Sequence, residues 1–165
     1  MRLLFVCTGN TCRSPLAEAI ARATAAERGL AAVTVASAGT SAWDGAPASD
    51  GSMLVGIERR LELQGHRAQT LTHPLIDAHD LVLVMGPHHL ERALALGGGG
   101  KSWLLTEYAS AGRVADAIAD PFGGDLARYR ETADELTREI RAVFDRLQAE
   151  GRVTVSTPPA APDPS

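Results

Sequence analysis

Short apolar runs alternate with longer helical segments along this chain of 165 residues. The runs lie at residues 3–6, around Val33 and Val35, at 80–85 and at 102–105. Continuous apolar runs of this length are typical of strands buried on both faces of a parallel sheet. Parallel neighbours are joined by right-handed crossovers, which are usually helices. The alternation therefore predicts one α/β domain over residues 1–150, with a four-stranded parallel sheet and helices on both faces.

The first helix is predicted over residues 14–28. Ser14 is a suitable cap, and Glu18 stands near the position that completes a capping box. Gly29 follows the last helical residue and can take the left-handed conformation that ends a helix at little steric cost. This helix begins immediately after a loop that contains both cysteines of the chain.

Further helices are predicted over 53–64, ended by Gly65, and from Pro87 to the glycines at 97–100. After Gly151 the chain contains four prolines in its last eight residues, so residues 151–165 are predicted to be a disordered tail. The longest helix is predicted from apolar residues that recur three and four positions apart. These residues are Leu126, Tyr129, Ala133, Leu136, Ile140, Val143 and Leu147.

Composition excludes several classes of protein. The net charge is −4 and no basic block interrupts the sequence, so neither DNA nor RNA is expected as a partner. No apolar stretch approaches the roughly 20 residues that a transmembrane helix needs, and the N-terminus lacks the pattern of a signal peptide. Two cysteines cannot form the disulfide framework of a secreted protein. A cytoplasmic protein without a membrane partner is predicted, and the oligomeric state is left open.

The loop after the first strand reads CTGNTCRS from Cys7 to Ser14 and leads directly into the first predicted helix. A loop that curls into a helix N-terminus directs backbone N–H groups inward and forms a cradle for an anion such as phosphate. Gly and Asn accept the left-handed backbone angles that such curling requires. Arg13 offers a planar fork for two phosphate oxygens. The residues predicted to bind phosphate or support the loop are Thr8, Gly9, Asn10, Thr11, Cys12 and Ser14.

Cys7 is the predicted nucleophile of this loop. It ends the strand at the centre of the cradle, where a helix N-terminus and a nearby guanidinium stabilise a thiolate. Ser14 can add a hydroxyl hydrogen bond to the sulfur. A lone cysteine is more often a small buried apolar residue, but here it coincides with a Gly-Asn turn, an arginine and a helix start. The spacing therefore favours an enzyme in which sulfur attacks phosphorus.

Residues 3–15, LLFVCTGNTCRSP, resemble the N-terminal motif of the low-molecular-weight protein-tyrosine phosphatases. The resemblance continues through residues 37–40, 80–85 and 120–124, and covers about residues 1–150. The Cys-x5-Arg spacing alone occurs on unrelated folds, so its N-terminal position and the late Asp-Pro make the match specific. The resemblance implies a four-stranded parallel sheet, a phosphocysteine intermediate, phosphorylated protein substrates, and no metal or other cofactor.

Expulsion of the leaving group needs a proton, and Asp120 is the predicted general acid. Pro121 biases Asp120 toward extended geometry and stiffens the loop that contains it. By resemblance, the same carboxyl would later deprotonate the water that hydrolyses phosphocysteine. Asp116 is the alternative acid, and an ordinary turn is the alternative explanation of the Asp-Pro pair.

Three further residues, Phe122, Ser37 and His66, take their expected roles from the resemblance, and Trp43 takes its role from its place on the loop after residues 37–40. The ring of Phe122 is expected to form a wall of the substrate cleft, and Trp43 to reach the cleft from its loop. Ser37 and His66 are expected to brace the phosphate-binding loop through Asn10. Plainer alternatives exist: Phe122 can anchor its loop to the body, Trp43 can be a half-buried ring, and His66 can be a helix-end residue.

The substrate preference depends on Thr11 and on the residues after the Asp-Pro pair. Many tyrosine-directed members of the family have Ile at the position of Thr11 and paired aromatic residues after Asp-Pro. This chain has Thr11 and Phe-Gly-Gly, which resemble the bacterial protein-arginine phosphatase branch. A hydroxyl reduces apolar contact with a phenyl ring, and Asp120 can pair with a cationic guanidinium. Phosphoarginine is therefore the favoured substrate, and phosphotyrosine the alternative.

Other kinds of chemistry are less consistent with the sequence. Cys12 can form a reversible disulfide with Cys7, which would protect the thiolate from irreversible oxidation, but the relay of an arsenate reductase needs further cysteines. A non-catalytic phosphate-binding module would need neither Cys7 nor Asp120. No metal site is predicted, because the remaining histidines lack acidic partners at ligand spacing and are expected on the solvated surface. These histidines are His73, His79, His88 and His89.

Overall fold

The computed structural model describes residues 1–156, which form four strands and six helices. The strands are β1 (Arg2–Cys7), β2 (Thr34–Gly39), β3 (Leu81–Val84) and β4 (Ser102–Leu104). The helices are α1 (Arg13–Glu27), α2 (Asp50–Glu58), α3 (His73–Asp77), α4 (Pro87–Ala95), α5 (Leu105–Ala109) and α6 (Leu126–Ala149).

All four strands are parallel and lie in the order β2-β1-β3-β4. β1 is therefore a central strand, and it is buried from Leu3 to its end at Cys7. In the pairing with β2, Cys7 stands opposite Gly39. Because parallel strands present their carboxyl ends at one edge of the sheet, Cys7 and the loops that follow the strands meet at that edge.

Helices cover both faces of the sheet. Side chains alternate along β1, so that Leu3 and Phe5 face one core and Leu4 and Val6 face the other. The larger core contains residues of α1, α2, α5 and α6, and the smaller core contains residues of α3 and α4. The predicted four-stranded parallel sheet with helices on both faces is confirmed.

The apolar stripe predicted for the last helix is the buried face of α6. Leu136, Ile140, Val143 and Leu147 are all fully buried against the larger core. Burial of one such side chain stabilises the fold by about 1.5–3 kcal/mol. α6 is therefore a principal support of the sheet on this side.

The prediction that Ser14 and Glu18 cap the first helix is wrong. α1 begins one residue earlier than predicted, at Arg13, and no side chain caps it. Ser14 contacts Cys7 and Asn10, and Glu18 accepts a hydrogen bond from Ser37, because the loop before the helix uses these polar groups. The predicted left-handed glycine is confirmed, since Gly29 has φ +68° directly after the helix.

The second predicted helix has different bounds in the structure. α2 begins at Asp50, where the Ser49 hydroxyl accepts from the Ser52 N–H, and it ends before Arg60 takes a left-handed φ of +57°. The predicted stop, Gly65, lies beyond the helix in irregular chain. α3 and α5 were not predicted, because five residues are too few to display a helical period.

The chain after α6 returns to the body of the protein. Val153 is buried in the larger core, and the Ser156 N–H donates to the Gly29 carbonyl. The prediction of disorder is therefore wrong for residues 151–156, because their packing against the core is not visible in composition. The rest of the predicted tail, 157–165, lies outside the described residues. No helix within residues 1–156 has both the length and the apolar character needed to cross a bilayer.

Candidate active site

The loop between β1 and α1 curls at the carboxyl edge of the sheet. Asn10 has a left-handed φ of +55°, as predicted for this turn. A Cβ atom added to Gly39 would lie 2.4 Å from the Thr8 carbonyl, so a glycine allows β2 to pack this closely. No backbone carbonyl within residues 1–156 accepts from the N–H groups of residues 8–12. These amides precede the N-terminus of α1 and are available to an anion.

Cys7 ends β1 at this loop. Its Sγ lies 2.9 Å from the Ser14 Oγ. The Asn10 Nδ2 donates to the same Ser14 oxygen over 2.8 Å, which leaves the serine proton for the sulfur or for the more distant Ala38 carbonyl at 3.5 Å. A hydroxyl donor beside a helix N-terminus favours the thiolate form of a cysteine. The geometry therefore suits a nucleophilic sulfur.

Arg13 is buried although it is charged. Its Nη1 donates to the Ile118 carbonyl over 3.0 Å, and its Nη2 lies 3.4 Å from the Asp120 Oδ2. Its buried Nε has no hydrogen-bond partner among residues 1–156. A buried donor without an acceptor costs free energy, which an anionic ligand in the cradle would recover.

Asp120 stands at the mouth of the same site, with half of its side chain exposed. One carboxylate oxygen accepts from the Phe122 N–H over 3.1 Å, and the other faces Arg13. The alternative acid, Asp116, is exposed, and its hydrogen bonds join its backbone to the hydroxyl of Thr106. The structure therefore places Asp120, rather than Asp116, beside the arginine of the cradle.

A cleft of about 210 Å³ joins these groups. Phe122 forms part of its wall while remaining 76% exposed, and Thr11 contributes a polar wall. Trp43 is 84% exposed and does not line this cleft. The lining residues are Cys7, Thr8, Gly9, Thr11, Cys12, Arg13, Asp120 and Phe122.

Asn10 ties the loop to distant parts of the chain. Its Nδ2 donates to Ser37 Oγ over 2.9 Å, and its Oδ1 accepts from the Gln69 N–H. Its carbonyl lies 2.7 Å from the Nε2 of His66, which can donate to it. The structure thus brings Ser37 and His66 to Asn10, where the resemblance had placed them.

Glu18 lies behind this network and was not foreseen as part of it. Its Oε2 accepts from Ser37 Oγ over 2.7 Å and lies 3.7 Å from the Nδ1 of His66. Burial raises the pKa of Glu18, but His66, Ser37 and the charge of Arg22 more than offset this, so the pKa lies below its usual value. An ionised Glu18 therefore orients the groups that hold Asn10.

His89 does not lie on the surface, so that prediction is wrong. The residue is fully buried, and its Nε2 lies 2.8 Å from the Thr8 Oγ1. Burial is the main cause that lowers the pKa of His89 to about 4; His88 and Arg13 lower it as well, and the charge of Asp120 opposes them. The spacing offered one clue: His89 and Ala93 are four apart, and both face inward on α4.

Cys12 lines the cleft together with Cys7 and also contacts two polar side chains next to the loop. Its Sγ donates to the Ser49 Oγ over 3.3 Å and lies 3.5 Å from the Tyr129 Oη. Both cysteines are free thiols, and a disulfide between Cys7 and Cys12 stays a prediction. Among residues 1–156, no three His, Cys, Asp or Glu side chains converge on a point that could hold a metal ion.

This site lies where a parallel α/β sheet binds ligands, and its sulfur, buried arginine and free amides suit the transfer of a phosphoryl group to sulfur. Fold and site together define the class of cysteine-dependent phosphatases. A family model described as "Low molecular weight phosphotyrosine protein phosphatase" matches residues 2–153. The chain belongs to the low-molecular-weight phosphotyrosine protein phosphatase family.

Individual relatives agree with this assignment. The protein-arginine-phosphatase of Bacillus subtilis (strain 168) is 37% identical over 154 residues, which cover 92% of this chain and 100% of the relative. The low molecular weight protein-tyrosine-phosphatase PtpB of Staphylococcus haemolyticus is 38% identical over 137 residues, covering 82% and 92%. One similar solved structure is that of the YwlE arginine phosphatase, a C7S mutant with a phosphorylated active site serine. It superposes with a TM-score of 0.86 at 36% identity, and the match covers 92% of this chain and 99% of that chain.

Family membership confirms the prediction of an enzyme. The chain is a cysteine-based hydrolase that acts on phosphorylated proteins. The non-catalytic phosphate-binding module is thereby excluded as its general function. Resemblance to the protein-arginine phosphatase branch is confirmed as well, since relatives with that name match across nearly the whole chain.

Proposed function

We propose that this enzyme hydrolyses phosphoarginine side chains of proteins, with Cys7, Arg13 and Asp120 as catalytic residues. The observation that favours this substrate is the polar wall of the cleft, where Thr11 and the half-exposed Asp120 accompany Cys7. Once the leaving group has taken a proton from Asp120, it is a planar guanidinium, which can donate two N–H bonds to the resulting carboxylate. The relatives named protein-arginine-phosphatase, at 37% and 38% identity, support the same substrate.

In the first step the Cys7 thiolate attacks phosphorus, and the S–P bond forms as the P–N bond to the arginine breaks. The free amides of residues 8–12 and the Arg13 guanidinium hold the phosphoryl oxygens, whose charge they stabilise in the transition state. Asp120, as the carboxylic acid, gives its proton to the departing nitrogen. The products of this step are the free arginine side chain and phosphocysteine.

In the second step a water molecule attacks the phosphorus of phosphocysteine. The Asp120 carboxylate accepts the proton of the water, the new P–O bond forms, and the S–P bond breaks. Phosphate leaves and the sulfur returns as thiolate, stabilised by the Ser14 hydroxyl at 2.9 Å.

Phosphotyrosine is the second candidate substrate. The exposed ring of Phe122 at the cleft wall favours it, because aromatic side chains pack well against a phenyl group. The relative named PtpB is a protein-tyrosine-phosphatase, and it is 38% identical to this chain. The choice between the two substrates depends on which contact dominates, that of Asp120 and Thr11 or that of Phe122.

A comparison of kcat/KM on phosphoarginine and phosphotyrosine peptides of the same sequence tests the proposal. We expect the wild-type enzyme to prefer phosphoarginine. Thr11→Ile should move the ratio of the two kcat/KM values about tenfold toward phosphotyrosine, because a hydrogen bond of about 0.5–1.5 kcal/mol is lost and apolar contact is gained. Thr34→Ile, the same change at an exposed residue of β2, is the matched control. A wild-type preference for phosphotyrosine that Thr11→Ile leaves unaltered would contradict the assignment.

A further inference from the structure

One buried imidazole beside the cradle has no role in the steps described so far. His89 lies in the first turn of α4 and is fully buried. Its Nε2 lies 2.8 Å from the hydroxyl of Thr8, the residue that follows Cys7. Its Nδ1 is also buried and has no hydrogen-bond partner among residues 1–156. A polar ring held in this way, with one nitrogen unpaired, needs a physical explanation.

The surroundings of His89 decide which nitrogen holds the proton. With a pKa of about 4, the ring is neutral near pH 7 and has a single N–H. Nδ1 faces the start of its own helix, because it lies 3.5 Å from where a Cβ of the N-cap residue Gly86 would stand. The positive end of a helix favours a lone pair at this place over an N–H. This environment favours the tautomer with its proton on Nε2, which then donates to the Thr8 oxygen.

The direction of this hydrogen bond determines what the Thr8 hydroxyl can do. An oxygen that accepts from His89 keeps its own proton for another partner. Thr8 lines the cleft together with Cys7 and Arg13, so the partner within reach of that proton is the group bound in the cleft. A neutral imidazole thus serves the site by orienting a neighbour, without exchanging a proton with substrate.

We propose that His89 is a positioning residue that turns the Thr8 hydroxyl toward the phosphoryl group, so that the Thr8 side chain adds a donor to the ring of backbone amides. The inference rests on the proposed phosphate cradle, but it does not depend on the preference for phosphoarginine. It assigns a function to a side chain that otherwise stands in the core with an unsatisfied nitrogen.

A double-mutant cycle tests the pair, with p-nitrophenyl phosphate as substrate and inorganic phosphate as inhibitor. Thr8→Val keeps the shape of Thr8 and removes its hydroxyl, and His89→Leu removes the donor. We expect each variant to lower kcat/KM and weaken phosphate inhibition about tenfold, the size expected for a hydrogen bond to a charged group. The double variant should be no worse than either single one, because both remove the same interaction.

Two further variants separate positioning from packing. His89→Gln places an amide N–H near the position of Nε2 and should recover most of the activity lost in His89→Leu. His73→Leu, at an exposed histidine of α3, is the control for loss of an imidazole and should behave as wild type. If His89→Leu prevents folding, the other two variants still test the positioning role. Thr8→Val preserves the shape of the threonine, and His89→Gln preserves a polar group in place of the imidazole.

Multiplicative losses in the double variant, or a Thr8→Val enzyme with normal kcat/KM and normal phosphate inhibition, would overturn the proposal. Failure of the proposed function looks different. A wild-type enzyme that hydrolyses p-nitrophenyl phosphate but ignores phosphoarginine removes the substrate assignment alone. A Cys7→Ser variant that retains p-nitrophenyl phosphate hydrolysis removes the cradle mechanism itself.

Discussion

At the scale of single residues, Asp120 is positioned by a different contact at each carboxylate oxygen. The Phe122 N–H fixes one oxygen, and the Arg13 guanidinium attracts the other over 3.4 Å. An ion pair with one half-exposed partner is worth only about 0–1 kcal/mol. Phosphate bound to Arg13 can therefore displace the carboxyl at little cost and leave it at the mouth of the cleft, where a leaving group needs a proton.

Replacement of this carboxyl should affect turnover far more than binding. We expect Asp120→Asn to lower kcat by about 10²–10⁴, the usual contribution of a general acid. Inhibition by inorganic phosphate should change little, because Arg13 and the amides remain. Steady-state kinetics with p-nitrophenyl phosphate measures both quantities. Asp116→Asn is the matched control, and a larger loss of kcat in that variant would transfer the acid role to Asp116.

At the scale of the element, the phosphate-binding loop has its shape because Asn10 fastens it. The side chain donates to Ser14 and Ser37 and accepts from the Gln69 N–H, while the carbonyl faces His66. The same residue has the left-handed φ of +55°, a conformation that asparagine tolerates better than most residues. Asn10 thus tolerates the left-handed backbone angle of the loop and also supplies the hydrogen bonds that its polar neighbours need.

Two substitutions at Asn10 separate these contributions. Asn10→Ala loses the hydrogen bonds and also strains the backbone, whereas Asn10→Gly loses the hydrogen bonds alone. We expect both to lower the free energy of unfolding by about 2 kcal/mol or more, with alanine worse than glycine by about 1 kcal/mol. Urea denaturation measures the difference. Equal stability of the two variants would show that the left-handed angle costs nothing here.

At the scale of the whole molecule, the buried His89 links stability to pH. Its pKa of about 4 lies below the ordinary value of 6.5, chiefly because it is buried. The charged groups around it are His88 and Arg13, which oppose protonation, and Asp120, which favours it. Between pH 6.5 and 4 the unfolded chain binds a proton at this histidine more readily than the folded protein does. The contribution of neutral His89 to the free energy of unfolding is therefore complete above pH 6.5 and is lost as the pH falls toward 4.

Removal of the imidazole should flatten that dependence. From the two pKa values, wild-type stability is expected to fall by roughly 2 kcal/mol between pH 7 and pH 5 through His89 alone. His89→Gln should show a correspondingly smaller decrease in urea-unfolding experiments at the two pH values. His73→Gln, at an exposed histidine, should follow the wild type. If His89→Gln also follows the wild type, another group accounts for the acid sensitivity.

Features encoded by neighbouring residues could be predicted from the sequence. The run from Leu3 to Val6 identified the central strand, and the spacing from Cys7 to Arg13 identified the phosphate-binding loop. Contacts across long separations could not be predicted in this way. Glu18 is assigned to a capping box because capping is a local property, whereas its actual partners, Ser37 and His66, become neighbours only when the chain folds.

His89 was misplaced for the same reason. Its spacing of four from Ala93 is the one local signal that distinguishes it from the exposed His88, and the packing of α4 against the sheet decides which of the two histidines is buried. The bounds of α2 likewise depend on Ser49, whose hydroxyl is fixed by both Ser52 and Cys12. Tertiary contacts set these details, and a periodic pattern does not record them.

The attachment of Cys7 to the end of a central strand has a consequence for redesign. The sulfur stands opposite Gly39 within a hydrogen-bonded ladder, whereas Asp120 and Phe122 belong to a surface loop outside regular structure. Replacing residues 119–124 with the corresponding loop of a relative would therefore change the preference for the leaving group, while the position of the Cys7 sulfur at the end of β1 is kept. Laboratory evolution aimed at new leaving groups should find its productive changes in that segment and at Thr11, and should leave the strand unchanged.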